Sequence, residues 1–177
     1  METLELKSER LILSPPQQGD IATIISILGK DKVYFENTLN IPFPYTAKNA
    51  EFWLQLSAQG LIEKTQYIFA IRLINTRELI GGIDLGIDRN ANKAELGYWL
   101  SRENWNKGYA TEAVKLIINF GFTQLRLRRI YASHFDFNMA SGKVLEKSGM
   151  QKEGVLRSHT FKEGKYQDHI IYAIINE

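Results

Sequence analysis

The sequence predicts a single α+β domain, built on a mixed, mostly antiparallel central sheet of about six to seven strands flanked by about four helices. Three observations lead there. The chain has 177 residues, 44% hydrophobic and 24% charged, which is the length and composition of one globular domain. Its middle carries three strand-like runs at short spacing, as an antiparallel meander requires. Its second half alternates strand and helix patterns, with a crossover long enough to set two strands parallel. No repeat, low-complexity segment or Pro/Gly/Ser linker divides residues 1–177, so they read as one domain.

The elements follow in order. Residues 10–14 form a strand stopped by Pro15 and Pro16, which cannot donate to a ladder. Asp20 opens an apolar helix that Gly29 closes. Residues 34–45, with Pro42 and Pro44, read as a loop, and Thr46 caps a helix over 47–62. Strands are predicted over 67–74, 79–87 and 93–100, separated by turns at 75–78 and 88–92. A helix over 109–124 precedes a strand over 129–135. A helix over 139–148 ends at Gly149 as a left-handed cap. Strands over 155–161 and 166–175 close the chain around a turn at 162–165. In the helix from Tyr109, the polar residues Glu112, Lys115, Asn119 and Thr123 share one narrow stripe and almost everything else is apolar. Such a helix is mostly buried against a sheet.

Composition removes several function classes. The 22 basic and 20 acidic residues give a net charge of +2, too even for nucleic-acid binding by bulk electrostatics. The absence of cysteine excludes disulfides, thiolate catalysis and cysteine zinc sites, and fits a reducing, cytoplasmic setting. Residues 1–7 lack the pattern of a signal peptide, and the longest apolar run, 21–28, is far short of a membrane span. His134, His159 and His169 show no metal-ligand spacing and read as structural or exposed, so no metal site is expected.

The informative segment is 100–112. A strand ends, a polar loop follows, and Gly108 stands where a helix begins. A helix start exposes unpaired N–H groups and the positive end of the helix dipole. Gly108 and the small Ala110 allow a phosphate or diphosphate to approach, and Lys107 adds a cation. The plainer alternative is that Gly108 only makes the turn. No GxxxxGK[ST] or GxGxxG pattern occurs, since Gly81, Gly82 and Gly86 lie within a strand, which argues against a nucleotide kinase or a Rossmann dehydrogenase.

Residues Trp105-Asn106-Lys107-Gly108-Tyr109-Ala110-Thr111-Glu112-Ala113 resemble the pyrophosphate-binding motif of the GNAT N-acetyltransferase superfamily, [Q/R]-x-x-G-x-[G/A]. Gly108 and Ala110 take the two small positions. Trp105 stands where the general motif has Gln or Arg, and Asn106 where a Gly is frequent. An aromatic residue at the first position is typical of the branch similar to ribosomal-protein N-terminal acetyltransferases. Glu95 to Leu100, Asn138 to Ser141, Leu145 to Met150, Glu153 to Arg157, Gly164 to Asp168 and Ile41 to Thr46 resemble further segments of that branch in the right order.

The resemblance implies a GNAT-like fold and transfer of an acetyl group from acetyl-coenzyme A to a primary amine. The expected acceptor is a protein or peptide N-terminus, such as that of a ribosomal protein. It implies coenzyme contacts at Trp99, Leu100 and Ser101, where a backbone N–H near Trp99 or Leu100 polarises the thioester. It also implies coenzyme contacts along Asn106, Lys107, Gly108, Tyr109, Ala110 and Thr111, and at Asn138 and Ser141. Ser141 is the candidate acid for the leaving thiolate, with water as the alternative. Glu95 and Glu153 are the candidate bases, and Asp84 is a weaker one.

Each residue also has a structural reading. Asn138 fits the N-cap of the helix from Met139. Glu95 could pair with Arg72 or Lys93. Arg126, Arg128 and Arg129 fit a solvated helix end as well as a 3′-phosphate contact. The aromatic stretch 34–45 is the expected lid over the acceptor. Acceptors of another class, a polyamine or an aminoglycoside, share the same frame, and so does a non-catalytic acyl-coenzyme A sensor. A homodimer is one option for the assembly, with neither nucleic acid nor membrane as partner.

Overall fold

The computed structural model describes residues 4–177; Met1, Glu2 and Thr3, the start of the segment read as lacking a signal peptide, lie outside the described residues. Among the described residues, eight strands form one sheet in the order β1-β2-β3-β4-β5-β6-β8-β7, and five α-helices cover it. The strands are β1 (Leu6–Lys7), β2 (Leu11–Ser14), β3 (Gln66–Leu73), β4 (Leu79–Asp88), β5 (Lys93–Leu100), β6 (Arg129–Phe135), β7 (Gln151–Lys162) and β8 (Lys165–Ile175). The helices are α1 (Ile21–Leu28), α2 (Val33–Asn37), α3 (Ala47–Glu63), α4 (Tyr109–Thr123) and α5 (Met139–Lys147). The α+β class is as expected, with one strand and one helix more. The extra strand β1 is two residues long, too short for any periodicity to reveal. The extra helix α2 starts one residue before the stretch read as loop and runs into it, closed by the extended Thr38, whose Oγ1 donates to the Tyr34 carbonyl at 2.7 Å. β7 starts four residues earlier than expected.

All ladders are antiparallel except one. β5 and β6 pair in parallel over only three residue pairs, Lys93–Arg129, Ala94–Ile130 and Glu95–Tyr131. Beyond Glu95 the two strands separate. The parallel arrangement follows from α4, which carries the chain from the end of β5 back to the start of β6.

Helices cover both faces of the sheet. On one face α4 and α5 pack over Leu96, Leu100, Ile130 and Ala132, with Val114 and Ile117 fully buried. The polar stripe behaves as expected at Lys115, Asn119 and Thr123, which are exposed. On the other face α1 and α3 cover Ala70 and Leu79, with Ile24 and Ala50 fully buried. Gly82 makes room there. A Cβ at that position would meet Trp99 Nε1 at 2.5 Å and Trp53 Cζ2 at 2.9 Å, and the two indoles pack with centroids 6.1 Å apart. The turn between β7 and β8 uses Glu163 (φ 47°) and Gly164 (φ 78°), the left-handed pair that a tight hairpin requires.

Candidate functional site

The separation of β5 from β6 leaves backbone groups unpaired in the middle of the sheet. Ser101 N–H donates to the Ile80 carbonyl at 2.7 Å, and the register sets Leu100 opposite Gly81 and Tyr98 opposite Ile83. Antiparallel alternation then turns the N–H and C=O of Tyr98 and Leu100 away from β4 and into the gap, while Trp99 stays inside the ladder. Trp105 Nε1 takes the Leu100 carbonyl at 2.7 Å, so the Leu100 N–H is the free group at this end. Of the two residues named for the carbonyl contact, Leu100 therefore has the amide in the gap. The Trp99 side chain lies on the α1/α3 face against Trp53 and Tyr34. Ser101 is buried and its Oγ accepts from Asn104 Nδ2 at 2.8 Å, which ties down the loop.

The loop reaches α4 through two left-handed residues, Asn106 (φ 60°) and Gly108 (φ 82°). Asn tolerates this conformation and Gly adopts it without strain. The N–H groups of Gly108, Tyr109, Ala110 and Thr111 donate to no acceptor among the described residues, and the first helical bond is Glu112 N–H to the Gly108 carbonyl at 3.1 Å. Gly108, Lys107 and Asn106 are exposed. The helix start is thus open, with its amides available to an anion, next to the gap in the sheet. Free amides at a helix start are the kind of donors that a bound anion takes.

At the far side of the gap, Asn138 caps α5, its side-chain oxygen accepting from Ser141 N–H at 3.3 Å. The Ser141 Oγ lies 2.7 Å from Tyr98 Oη. From sequence, Tyr98 opens the strand end expected beside the coenzyme's thiol arm, with no role for its hydroxyl. Its alternation on β5 puts the ring on the α4/α5 face, and burial pushes the phenol up to about 12 despite the opposing hydrogen bond from Ser141. α5 itself carries no tyrosine; the one that reaches Ser141 comes from β5.

The carboxylates lie on the opposite face. Asp84 stands across from Gly97, where a Cβ would meet its Oδ1 at 2.9 Å. Gln66 Nε2 donates to its other oxygen at 3.2 Å. Burial pushes its carboxyl up to about 6, Gln66 opposes this, and the nearby Glu95 adds to it. Glu95 is exposed at the last position where β5 pairs with β6 and accepts from Tyr131 Oη at 3.5 Å. Neither basic partner suggested for it is free. Arg72 makes a buried pair with Asp20, and Lys93 sits 3.7 Å from Asp88. Glu153 is held by Arg129 through both oxygens, and these bonds keep its carboxyl below the usual range. Arg129 is thereby committed to an ion pair on the sheet rather than to a helix end.

The stretch 34–45 packs against the β7–β8 turn. Lys162 Nζ donates to the carbonyls of Phe35 and Thr38, and Lys32 pairs with Glu163 at 3.0 Å. A recess of about 230 Å³ lies there, lined by Glu36, Phe135, Phe137, Lys162, Glu163 and Gln167. The hairpin also brings two distant histidines into contact, with the His159 and His169 rings 4.9 Å apart and His169 fully buried.

Residues 10–151 match the family model described as an acetyltransferase (GNAT) domain. The chain belongs to the GNAT acetyltransferase family. A curated relative, the uncharacterized N-acetyltransferase YoaA of Bacillus subtilis, is 34% identical over 175 residues, covering 96% of both chains. The ribosomal-protein-serine acetyltransferase of Escherichia coli is 25% identical over 175 residues, covering 98% of this chain and 97% of that one. In fold, this acetyltransferase resembles the ribosomal L7/L12 α-N-protein acetyltransferase RimL solved with coenzyme A. The TM-score is 0.88 at 18% identity, over 97% of this chain and 98% of that one. No helix among the described residues is long and apolar enough to cross a membrane.

Proposed function

We propose that this acetyltransferase uses acetyl-coenzyme A to acetylate a primary amine, and that its acceptor is the N-terminal amine of a protein such as a ribosomal protein, in the cytoplasm. The observation that carries the coenzyme reading is the opening between β5 and β6, which exposes the Leu100 N–H beside a helix start whose first amides are free. The protein-acceptor reading is supported by two relatives that are ribosomal-protein acetyltransferases.

Acetyl-coenzyme A supplies an activated thioester, so the chain's task is mostly positioning, charge stabilisation and proton handling. The amides of Gly108 to Thr111 hold the diphosphate, with Lys107 nearby. Asn106 sets the loop and Asn138 the start of α5. The Leu100 N–H donates to the carbonyl oxygen as it gains charge. The amine attacks as a free base, so its proton must leave first. Glu95, exposed beside the opening and bound among the described residues only to a phenol, is the better proton acceptor. Glu153 is engaged by a guanidinium that weakens it as a base. On the other face, the Tyr98–Ser141 hydroxyl pair delivers the proton that the departing thiolate needs.

A second reading has one observation in its favour. Asp84 is a largely buried carboxylate whose only hydrogen bond among the described residues comes from Gln66. With Glu95 on the same face, it would suit a small polycationic amine. The deciding experiment is thiol release from acetyl-coenzyme A across ribosomal-protein N-terminal peptides, polyamines and aminoglycosides. Release with the peptides supports the proposal. Release with polyamines or aminoglycosides alone replaces the acceptor. No release with any amine, despite tight coenzyme binding, makes the chain an acyl-coenzyme A sensor.

A further inference from the structure

The first turn of α4 contains a carboxylate that ought to oppose its own ligand. Glu112 lies one helical turn from Gly108, so a free negative charge there would repel a diphosphate bound at the helix start. It is not free. Its carboxylate accepts from Ser8 Oγ at 2.8 Å, from the Arg10 backbone N–H at 2.9 Å and from Arg10 Nε at 2.7 Å, with Arg10 Nη2 at 2.6 Å. Burial alone would raise this carboxyl, but the bonds from Ser8 and Arg10 outweigh it and hold it below the usual range.

The same guanidinium has a second attachment. Arg10 Nη1 donates to the Lys107 carbonyl at 3.0 Å, and its carbon sits 4.7 Å above the Tyr109 ring. A peptide unit is planar and trans, so the Lys107 C=O and the Gly108 N–H point in opposite directions. Holding that carbonyl against Arg10 turns the Gly108 N–H the other way, to the open side. The fork of a guanidinium can hold a carboxylate and a carbonyl at once, which an ammonium cannot do in the same geometry.

We infer that Arg10 is a positioning residue for the coenzyme: it cancels the Glu112 charge and aims the Gly108 amide at the diphosphate, without touching it. This rests on the reading of the loop as the diphosphate site. Arg10 comes from the turn before β2, far from the loop in sequence, so the site is completed by the opposite end of the chain.

The test compares binding of coenzyme A with binding of pantetheine, which keeps the thiol arm and lacks the diphosphate, by titration calorimetry and by competition. In Arg10→Gln, coenzyme A is expected to bind about tenfold or more weakly and pantetheine unchanged. Adding Glu112→Gln should recover part of that loss, because the repelling charge is gone. Equal losses for both ligands, or no loss for coenzyme A, overturn the inference. Should Arg10→Gln melt far below the parent, Arg10→Lys serves instead: it keeps the charge but not the fork, and a loss confined to coenzyme A is again required. Failure of the underlying reading looks different, since the parent protein itself would then bind coenzyme A no better than pantetheine.

Discussion

Tyr98 Oη and Ser141 Oγ stand 2.7 Å apart, joining β5 to the first turn of α5 at the point where β5 has lost its parallel neighbour. The pair is half-buried, and burial keeps the phenol protonated to about 12, so at neutral pH Tyr98 has a proton to give. Ser141 can pass that proton on, since a hydroxyl both donates and accepts. Tyr98→Phe and Ser141→Ala should each lower kcat by on the order of 100-fold and leave coenzyme affinity nearly unchanged. The double variant should be little worse than the poorer single one, because the two act as a unit. Steady-state kinetics by thiol release, with calorimetric coenzyme binding, checks both points. Equal losses in turnover and affinity would reassign the hydroxyls to binding.

Gly108 offers a second test. Its φ of 82° disfavours any side chain, at a cost of about 1–2 kcal/mol, and a Cβ there would come within 3.3 Å of Arg10 Nη2. Gly108→Ala should therefore lose modest stability and modest coenzyme affinity. Gly108→Glu adds a charge at the open amides and should abolish coenzyme binding while the chain stays folded. Calorimetry and a thermal melt separate the two effects. Unchanged affinity in the Glu variant would remove the loop from the site.

What the sequence disclosed and what it withheld divide along range. The loop–glycine–helix passage at 105–113, the cap at Asn138 and the left-handed Gly149 are local, fixed by residues within a turn of one another, and all stand where the sequence puts them. The partners of those residues are not local. Nothing near Glu112 announces that Ser8 and Arg10 will take its carboxylate, and nothing near Arg72 announces Asp20. Glu95 illustrates the consequence: a cation two residues away at Lys93 is a reasonable partner on paper, yet Lys93 turns to Asp88 and Glu95 meets Tyr131 across the parallel pair. Tyr98 is legible as a strand residue, but which face its ring occupies depends on register with β4, which only the assembled sheet fixes.

The Asp20–Arg72 pair predicts a stability effect away from the site. Both side chains are about nine-tenths buried, and the guanidinium reaches both carboxylate oxygens at 2.9 and 2.7 Å and Ser14 Oγ at 3.0 Å. It ties β3 to β2 and to the start of α1. Asp20→Ala leaves a guanidinium buried without its anion and should cost about 3–5 kcal/mol. Asp20→Asn should cost less, since its amide oxygen still accepts. Urea unfolding measures both. A loss under about 1 kcal/mol in the Ala variant would mean that water reaches Arg72 and that the pair is not sealed.

Asp84 predicts how stability varies with pH. Its carboxyl ordinarily titrates at 3.8 and in the folded chain is pushed up to about 6, because burial disfavours the charged form more than Gln66 favours it. A group whose folded value is raised binds its proton more tightly in the native state. Native stability from this group is therefore greatest below about 4 and declines as pH rises through 6, where the buried carboxylate must ionise. The rise from 3.8 to about 6 corresponds to about 3 kcal/mol, an upper figure because some of the carboxyl meets solvent. Asp84→Asn keeps the shape and cannot ionise. Relative to the parent it should be nearly as stable at about pH 4 and more stable at about pH 7, and the gap should open between those values in urea unfolding curves. Carboxylates that do not face Asp84 contribute equally to both proteins and cancel in the difference; Glu95, which adds to the Asp84 shift, is the exception. A gap that stays constant with pH would show that Asp84 is already ionised across this range, with a cation or water satisfying it. Should the gap open as expected while the Asn variant also loses affinity for its amine, the same buried charge is one that the acceptor, on binding, neutralises.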